Sequence, residues 1–225
     1  MADVLQILNT IDATCIDADG LKWFNWMYLQ VTQAAASRVA SNSFSDAKWM
    51  ADLDVYFANL YLSALKSWFT GAETPGCWRV LFESRSQGLI ARVQFAIAGI
   101  NAHINHDLAE AIVQTCQASG TTPQHGGQHY IDFTALNSTL NELIETAKRG
   151  LHLRLLGDVL PPVSHLEDTL ASFKVGAARE TAWLNAEHLW HLRATPQLAS
   201  SFLQVLDGFA AVIGKGLMVP VPLFS

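Results

Sequence analysis

Apolar residues recur every three or four positions along most of this chain, the spacing that one face of an α-helix presents. Alternating strand patterns are nearly absent, and glycines and prolines separate the periodic stretches. Ser164 and Glu167 have the spacing of a capping box, which indicates a helix start. The pattern predicts a loop over 119–131 and helices over 3–14, 20–40, 46–70, 76–86, 89–118, 133–155, 164–194 and 196–214.

These elements predict an all-α fold, a single-domain bundle of about eight helices that spans residues 1–225. The composition agrees, because 50% of the 225 residues are hydrophobic and 15% are charged, which excludes a disordered chain. The net charge of -6 argues against nucleic acid as a partner. The cysteines share no metal-ligand spacing and are typical of buried thiols in a reducing compartment.

The ends of the chain bear on localisation and assembly. The first twenty residues lack the basic segment of a signal peptide, and no uninterrupted run of 18 apolar residues exists, so we expect no membrane span and a cytoplasmic protein. The tail over 216–225 is apolar and contains Pro220 and Pro222. We expect this tail to pack on the body of the protein or on a partner subunit, as in a homodimer.

Several stretches resemble a bacterial family of unknown function that carries the signature G-M-N-A-H-I-N-x-D-L. Here the signature reads GINAHINHDL over 99–108, with Ile100 in place of methionine. The resemblance extends over roughly residues 20–195 and includes LKWFNWMYLQVT (21–32), LDVYFANLYLSAL (53–65), WRVLFESR (78–85) and ARETAWLNAEHLW (178–190). It implies a shared fold and a shared site, but no particular reaction.

The signature places polar side chains on one face of the predicted helix 89–118. At 100° per residue, His103, His106, Asp107 and Glu110 share a face. An imidazole and a carboxylate four residues apart can bind one divalent metal ion. The same stripe is equally typical of a helix face that is open to water. Apolar residues around 93–104 and a glycine at 99 favour a buried helix that a neighbour approaches closely.

Two further sets of side chains are candidates for the same site. Glu180, Glu187 and His191 align along the predicted helix 164–194, either as half of a metal site between two helices or as an exposed ion pair. Asp54 shares a helix face with apolar residues, so its carboxyl group must be paired, protonated or metal-bound. A helix cap or a buried hydrogen bond would also explain Asp54.

The sequence leaves three functional hypotheses open. The first is a metal-dependent enzyme that acts on a small, largely apolar molecule, with zinc activating water for hydrolysis or iron supporting oxygen chemistry. Its predicted metal ligands are His103, Asp107, Glu187 and His191, with Asp54, His106 and Glu180 nearby as catalytic groups. The second is a metal-free cyclase, isomerase or lyase with His103 and Asp107 as acid and base. The third is a non-catalytic binding or scaffold protein.

Overall fold

The computed structural model describes residues 1–154 and 174–220. These residues form ten α-helices and one π-helix, and they contain no strand. The helices are α1 (Ala2–Thr14), α2 (Gly20–Ala40), α3 (Ala47–Thr70), α4 (Gly76–Ser84), α5 (Arg92–Ala102), the π-helix (His103–Asp107), α6 (Leu108–Ser119), α7 (Gln128–Thr134), α8 (Asn137–Arg154), α9 (Val175–Leu192) and α10 (Pro196–Leu217).

The predicted all-α bundle is confirmed, and the differences lie in how two helices are divided. The predicted helix 89–118 begins at Arg92 and contains the π-helix, which a periodicity of 3.6 does not reveal. The predicted helix 133–155 is two helices, α7 and α8, and α7 begins inside the stretch predicted as a loop. The capping box at Ser164 and Glu167 lies outside the described residues.

Aspartates fix the starts of two long helices by accepting hydrogen bonds from free backbone amides. Asp19 Oδ1 accepts from the amide of Leu21 at 3.0 Å, and Asp46 Oδ1 accepts from the amide of Trp49 at 2.9 Å. Asp19 also forms an ion pair with Arg85, so the start of α2 is tied to the end of α4. These contacts set where α2 and α3 begin relative to the rest of the bundle.

The continuous helical segment from α5 to α6 is the centre of the core. It packs against α2, α3, α9 and α10, and nearly every side chain of α5 is buried. A methyl group added at Gly99 would overlap the ring of Phe24 on α2, so the glycine allows the close approach that the sequence predicts. Asn101 Nδ2 donates to the carbonyl of Ala210 at 2.8 Å and thereby joins α5 to α10.

Helix α10 carries apolar residues on both its inner and its outer faces. Its inner face buries Leu206, Ala210, Gly214 and Leu217, whereas four large apolar side chains point outward: Leu198, Val205, Phe209 and Val212. Length and composition alone would let α10 cross a membrane, and only 17% of its most apolar window is buried. Asp207 and Lys215 lie within this helix, so it does not contain the uninterrupted run of 18 apolar residues by which the sequence was searched for a membrane span.

The tail after α10 is hydrogen-bonded to the body as far as Val219. Gln94 is buried in α5, and its Nε2 donates to the carbonyls of Leu217 and Val219, each at 2.8 Å. This supports the expectation that the tail packs on the body of the protein. Residues 221–225, which the homodimer prediction also includes, lie outside the described residues.

Replacing Gly99 with alanine is expected to destabilise the protein by about 1–3 kcal/mol, because the new methyl group must displace the buried Phe24 ring. Gly208 is the matched control, since it lies inside α10 with open space where a methyl group would be placed. There alanine should stabilise by up to about 1 kcal/mol through helix propensity. Urea denaturation of both variants measures the difference, and equal effects would contradict the close packing.

Candidate functional site

The π-helix is the local structure that presents the histidine cluster. The amide of Leu108 donates to the carbonyl of His103, a bond that spans five residues where an α-helix spans four. The backbone therefore turns through a smaller angle per residue here, and the angle about the helix axis between successive side chains is smaller than in an α-helix. Three of the five residues, His103, His106 and Asp107, meet in one buried cluster.

Asp107 is the centre of this cluster. Its Oδ2 accepts hydrogen bonds from His103 Nδ1 at 2.8 Å and from Trp78 Nε1 at 3.0 Å, and its Oδ1 accepts from His106 Nδ1 at 2.6 Å. The residue is 1% exposed. Burial disfavours the ionised carboxyl, but the hydrogen bonds from both imidazoles outweigh it and lower the pKa of Asp107. A carboxylate accepts only, so each imidazole carries its proton on Nδ1.

His103 is enclosed by aromatic rings. Phe57 stacks on it with 3.4 Å between ring centroids, and Tyr28 meets it edge-on at 4.6 Å. Its Nε2 is buried and makes no hydrogen bond to any residue that the structure describes. Burial lowers the pKa of His103 and outweighs the hydrogen bond to Asp107 and the charge of that carboxylate. His103 is therefore a neutral imidazole that donates to Asp107 and does not reach solvent.

His106 differs from His103 because it lies at the edge of the core. It is 8% exposed and lines an open groove of about 330 Å³ between the start of α4 and α10. Burial acts to lower the pKa of His106, but the hydrogen bond to Asp107 and the charges of Asp107, Asp207 and Glu110 raise it overall. Nδ1 is engaged by Asp107, so Nε2 is the nitrogen left to contact a ligand in the groove.

The groove beside His106 is largely polar. Asp207 of α10 accepts hydrogen bonds from the amides of Gly76 and Cys77, each at 2.8 Å, and thereby caps the start of α4. These bonds lower the pKa of Asp207 although burial acts to raise it. The other lining residues are Glu73, Thr74, Pro75, Arg79, Ser200, Leu203 and Gln204. A volume of about 330 Å³ suits a small molecule.

The carboxylates and the histidine predicted on α9 serve another purpose. Glu180 accepts a hydrogen bond from Tyr130 Oη at 2.7 Å, and Glu187 accepts from the indole of Trp183 and from the amide of His125. His191 is exposed. Glu180 and Glu187 therefore hold α7 and the loop before it against α9. They do not join His103 and Asp107.

The predicted four-ligand metal centre is not assembled in the structure. Among the described residues, no group of three or more His, Cys, Asp or Glu side chains is arranged to hold a metal ion. The reason is geometric, since the alignment of Glu187 with His191 places them on one face of α9 but does not specify which helix that face meets. The solvated-face alternative also fails for His103 and Asp107, because both are buried.

Asp54 lies apart from the histidine cluster. Its Oδ2 is buried and has no hydrogen-bond partner within residues 1–154 and 174–220, and the residue lines a separate cavity between α2, α3, α8 and α9. Burial raises the pKa of Asp54 to about 7. The expectation that Asp54 belongs to the same site as His103 and Asp107 therefore holds only for His103 and Asp107, which share a hydrogen bond. Phe57 and Tyr28 nevertheless both line the Asp54 cavity and pack on His103.

Sequence reasoning missed three residues of this region. Trp78 and Asp207 come from α4 and α10, and Arg79 lines the groove beside them. Trp78 is one of seven tryptophans, and nothing in its neighbourhood distinguishes it from a core residue. The sequence did contain a sign of Asp207, since it is the only carboxylate in the mainly apolar stretch over 196–217.

Comparison with known proteins agrees with the resemblance found in the sequence. The family model described as "Family of unknown function (DUF5995)" matches residues 1–220. The chain belongs to this family. No curated protein and no solved structure matches the chain. Membership of DUF5995 accounts for a shared fold, and the chemistry must be argued from the side chains.

The two histidines of this DUF5995 chain are expected to titrate in opposite directions from the ordinary value of 6.5. A folded pKa above the unfolded value means that protonated His106 stabilises the fold below pH 6.5, and that this contribution is lost as the pH rises through the folded pKa. His106→Gln should therefore cost more stability at pH 5.5 than at pH 8.5. Denaturation at both pH values tests this, and a cost that does not change with pH would contradict it.

Asp107→Asn is expected to destabilise the protein by about 3 kcal/mol, because one amide oxygen cannot accept from three buried donors. The same change should lower the pKa of His106 toward or below its ordinary value, which NMR titration of the imidazole would measure. Asp52→Asn is the control, since Asp52 forms an exposed ion pair with Lys48, and this substitution should change stability by less than about 0.5 kcal/mol. An unchanged His106 titration would contradict the role of Asp107.

Proposed function

We propose that the protein is an acid–base enzyme in which His106 exchanges a proton with a small polar molecule bound in the groove between α4 and α10. The observation that carries the proposal is the 2.6 Å hydrogen bond from His106 Nδ1 to the buried carboxylate of Asp107. A carboxylate in this position fixes the tautomer of the imidazole and stabilises the imidazolium that forms when Nε2 accepts a proton.

The role of each side chain in the cluster follows from whether it can contact a ligand in the groove. His106 reaches the groove, so it takes the part that the sequence assigned to His103. His103 and Trp78 each donate to Asp107, which holds the carboxylate in place and keeps it ionised. They are positioning residues, because the aromatic rings around His103 keep its Nε2 from any ligand in the groove.

The groove favours direct proton transfer over covalent catalysis. Ser200 lines the groove beside His106, but no hydrogen bond joins them among the described residues. Burial raises the pKa of the Cys77 thiol, so this neighbour of the groove stays protonated. An isomerisation or an elimination, in which one base removes a proton from carbon, needs only the imidazole and its carboxylate. Because the groove is polar, its ligand is expected to be polar too, unlike the apolar molecule predicted from sequence.

The experiment compares the small molecules consumed by the wild-type protein with those consumed by His106→Gln. Both proteins are incubated with a cell extract depleted of macromolecules, and the products are followed by mass spectrometry. We expect at least one compound whose turnover falls by about 100-fold or more in His106→Gln, the usual contribution of a general acid–base group. His125→Gln is the control, because His125 is exposed in the loop before α7, where its ring contacts Tyr130, and it does not line the groove. Equal turnover by the wild type and His106→Gln would contradict the proposal.

A further inference from the structure

A second cavity lies on the other side of the rings that enclose His103. Its volume is about 40 Å³, and it shares no lining residue with the His106 groove. By the usual volume of one enclosed water, the space holds about three non-hydrogen atoms before its mouth is reached. Most of the wall is apolar, with Asp54, Tyr28 and Arg179 as the polar groups and Val31, Ala35, Val39, Phe44, Met50, Leu53, Phe57, Leu108, Leu136 and Leu140 as the remainder.

Arg179 is a buried cation, and its direct partners among the described residues are all neutral. It is 6% exposed, its Nε donates to Asn137 Oδ1 at 2.7 Å, and its Nη2 donates to the carbonyl of Phe133 at 2.9 Å. The ring of Phe133 lies 3.9 Å from its Cζ. Burial lowers the pKa of Arg179 to about 9, which still leaves it cationic at neutral pH. The charges of Glu180 and Asp54 act on Arg179 and oppose the effect of burial, but neither carboxylate forms an ion pair with it among the described residues. A buried charge without an opposite charge in contact is costly, so this one favours an anionic ligand.

Asp54 is the second unusual group of the cavity. Its Oδ2 is buried and unpartnered, and no hydrogen bond joins it to Arg179 among the described residues, although the two interact electrostatically. Burial raises its pKa to about 7, against the opposing charges of the N-terminal amine and Arg179. At neutral pH Asp54 is thus protonated in a large fraction of molecules, and a protonated carboxyl group can donate a hydrogen bond.

We infer that this cavity binds a small aliphatic carboxylate. Its carboxylate lies between the guanidinium of Arg179 and the carboxyl group of Asp54, and its alkyl chain extends along the apolar wall toward the half-buried Val31 and Val39. The positive charges of Arg179 and of the N-terminal amine favour an anion over an ammonium ion here. The proposal is independent of the chemistry of His106, because the two sites share no lining residue.

Butyrate is the probe, with butanol and butylamine as ligands of equal chain length and different charge. We expect saturable butyrate binding by calorimetry, with affinity at least tenfold above that of either control ligand. Affinity should fall as the pH rises from 6 to 8, since ionised Asp54 repels the carboxylate while butyrate stays anionic throughout. Tyr28 is too basic to titrate in this range, because burial raises its pKa further.

Asp54→Asn tests the role of Asp54 most directly, because the amide keeps a hydrogen-bond donor and cannot ionise. It should bind butyrate at pH 8 as tightly as the wild type does at pH 6, with no pH dependence. Arg179→Gln should weaken binding at least tenfold. Arg179→Lys keeps the charge and should retain most of the affinity if the glutamine variant fails to fold. Arg193→Gln removes an exposed charge from the end of α9 and should leave binding unchanged.

Three outcomes would overturn the inference. Equal binding of butanol and butyrate would mean an apolar cavity without charge selection. Preference for butylamine would mean that ionised Asp54 binds a cation in this cavity. No saturable binding by any of the three ligands would mean a cavity that holds only water. Each outcome leaves the turnover experiment on His106 unaffected, so the two proposals fail or succeed separately.

Discussion

The burial of a single carboxylate, that of Asp107, is the constraint on which the functional region depends. An ionised carboxyl group inside an apolar core is tolerated only when hydrogen-bond donors replace the water it has lost. Three donors do so here, from His103, His106 and Trp78. The π-helix brings two imidazoles to this carboxyl group, and α4 supplies the indole.

The same carboxylate acts on two histidines that differ in their surroundings. Around His103 the rings of Phe57 and Tyr28 exclude water, so burial dominates and the imidazole stays neutral. Around His106 the groove admits solvent and several carboxylates are near, so the charged form is favoured. One helical turn thus contains a buried structural imidazole and one that solvent can reach. Because both residues are histidines, it is solvent access that distinguishes their roles.

The core of this protein contains a second pair of unusual polar groups, Asp54 and Arg179, and it is not isolated from the first. Phe57 and Tyr28 form part of the cavity wall on one side and contact His103 on the other. A ligand that fills the cavity would press on rings that also define the environment of His103. Because close-packed side chains transmit small displacements, the two regions are mechanically adjacent even though they share no ligand contact.

The sequence determined the features that depend on near neighbours along the chain. Apolar spacing gave the all-α class, the four-residue spacing paired His103 with Asp107, and the glycine at 99 indicated a close approach that Phe24 makes. Only the tertiary structure decided the features that join distant segments. Trp78 donates to a residue 29 positions away, Asp207 reaches the start of α4, and Glu187 accepts a hydrogen bond from the loop before α7. A periodic pattern fixes which face of its own helix a side chain occupies, whereas packing fixes what that face meets.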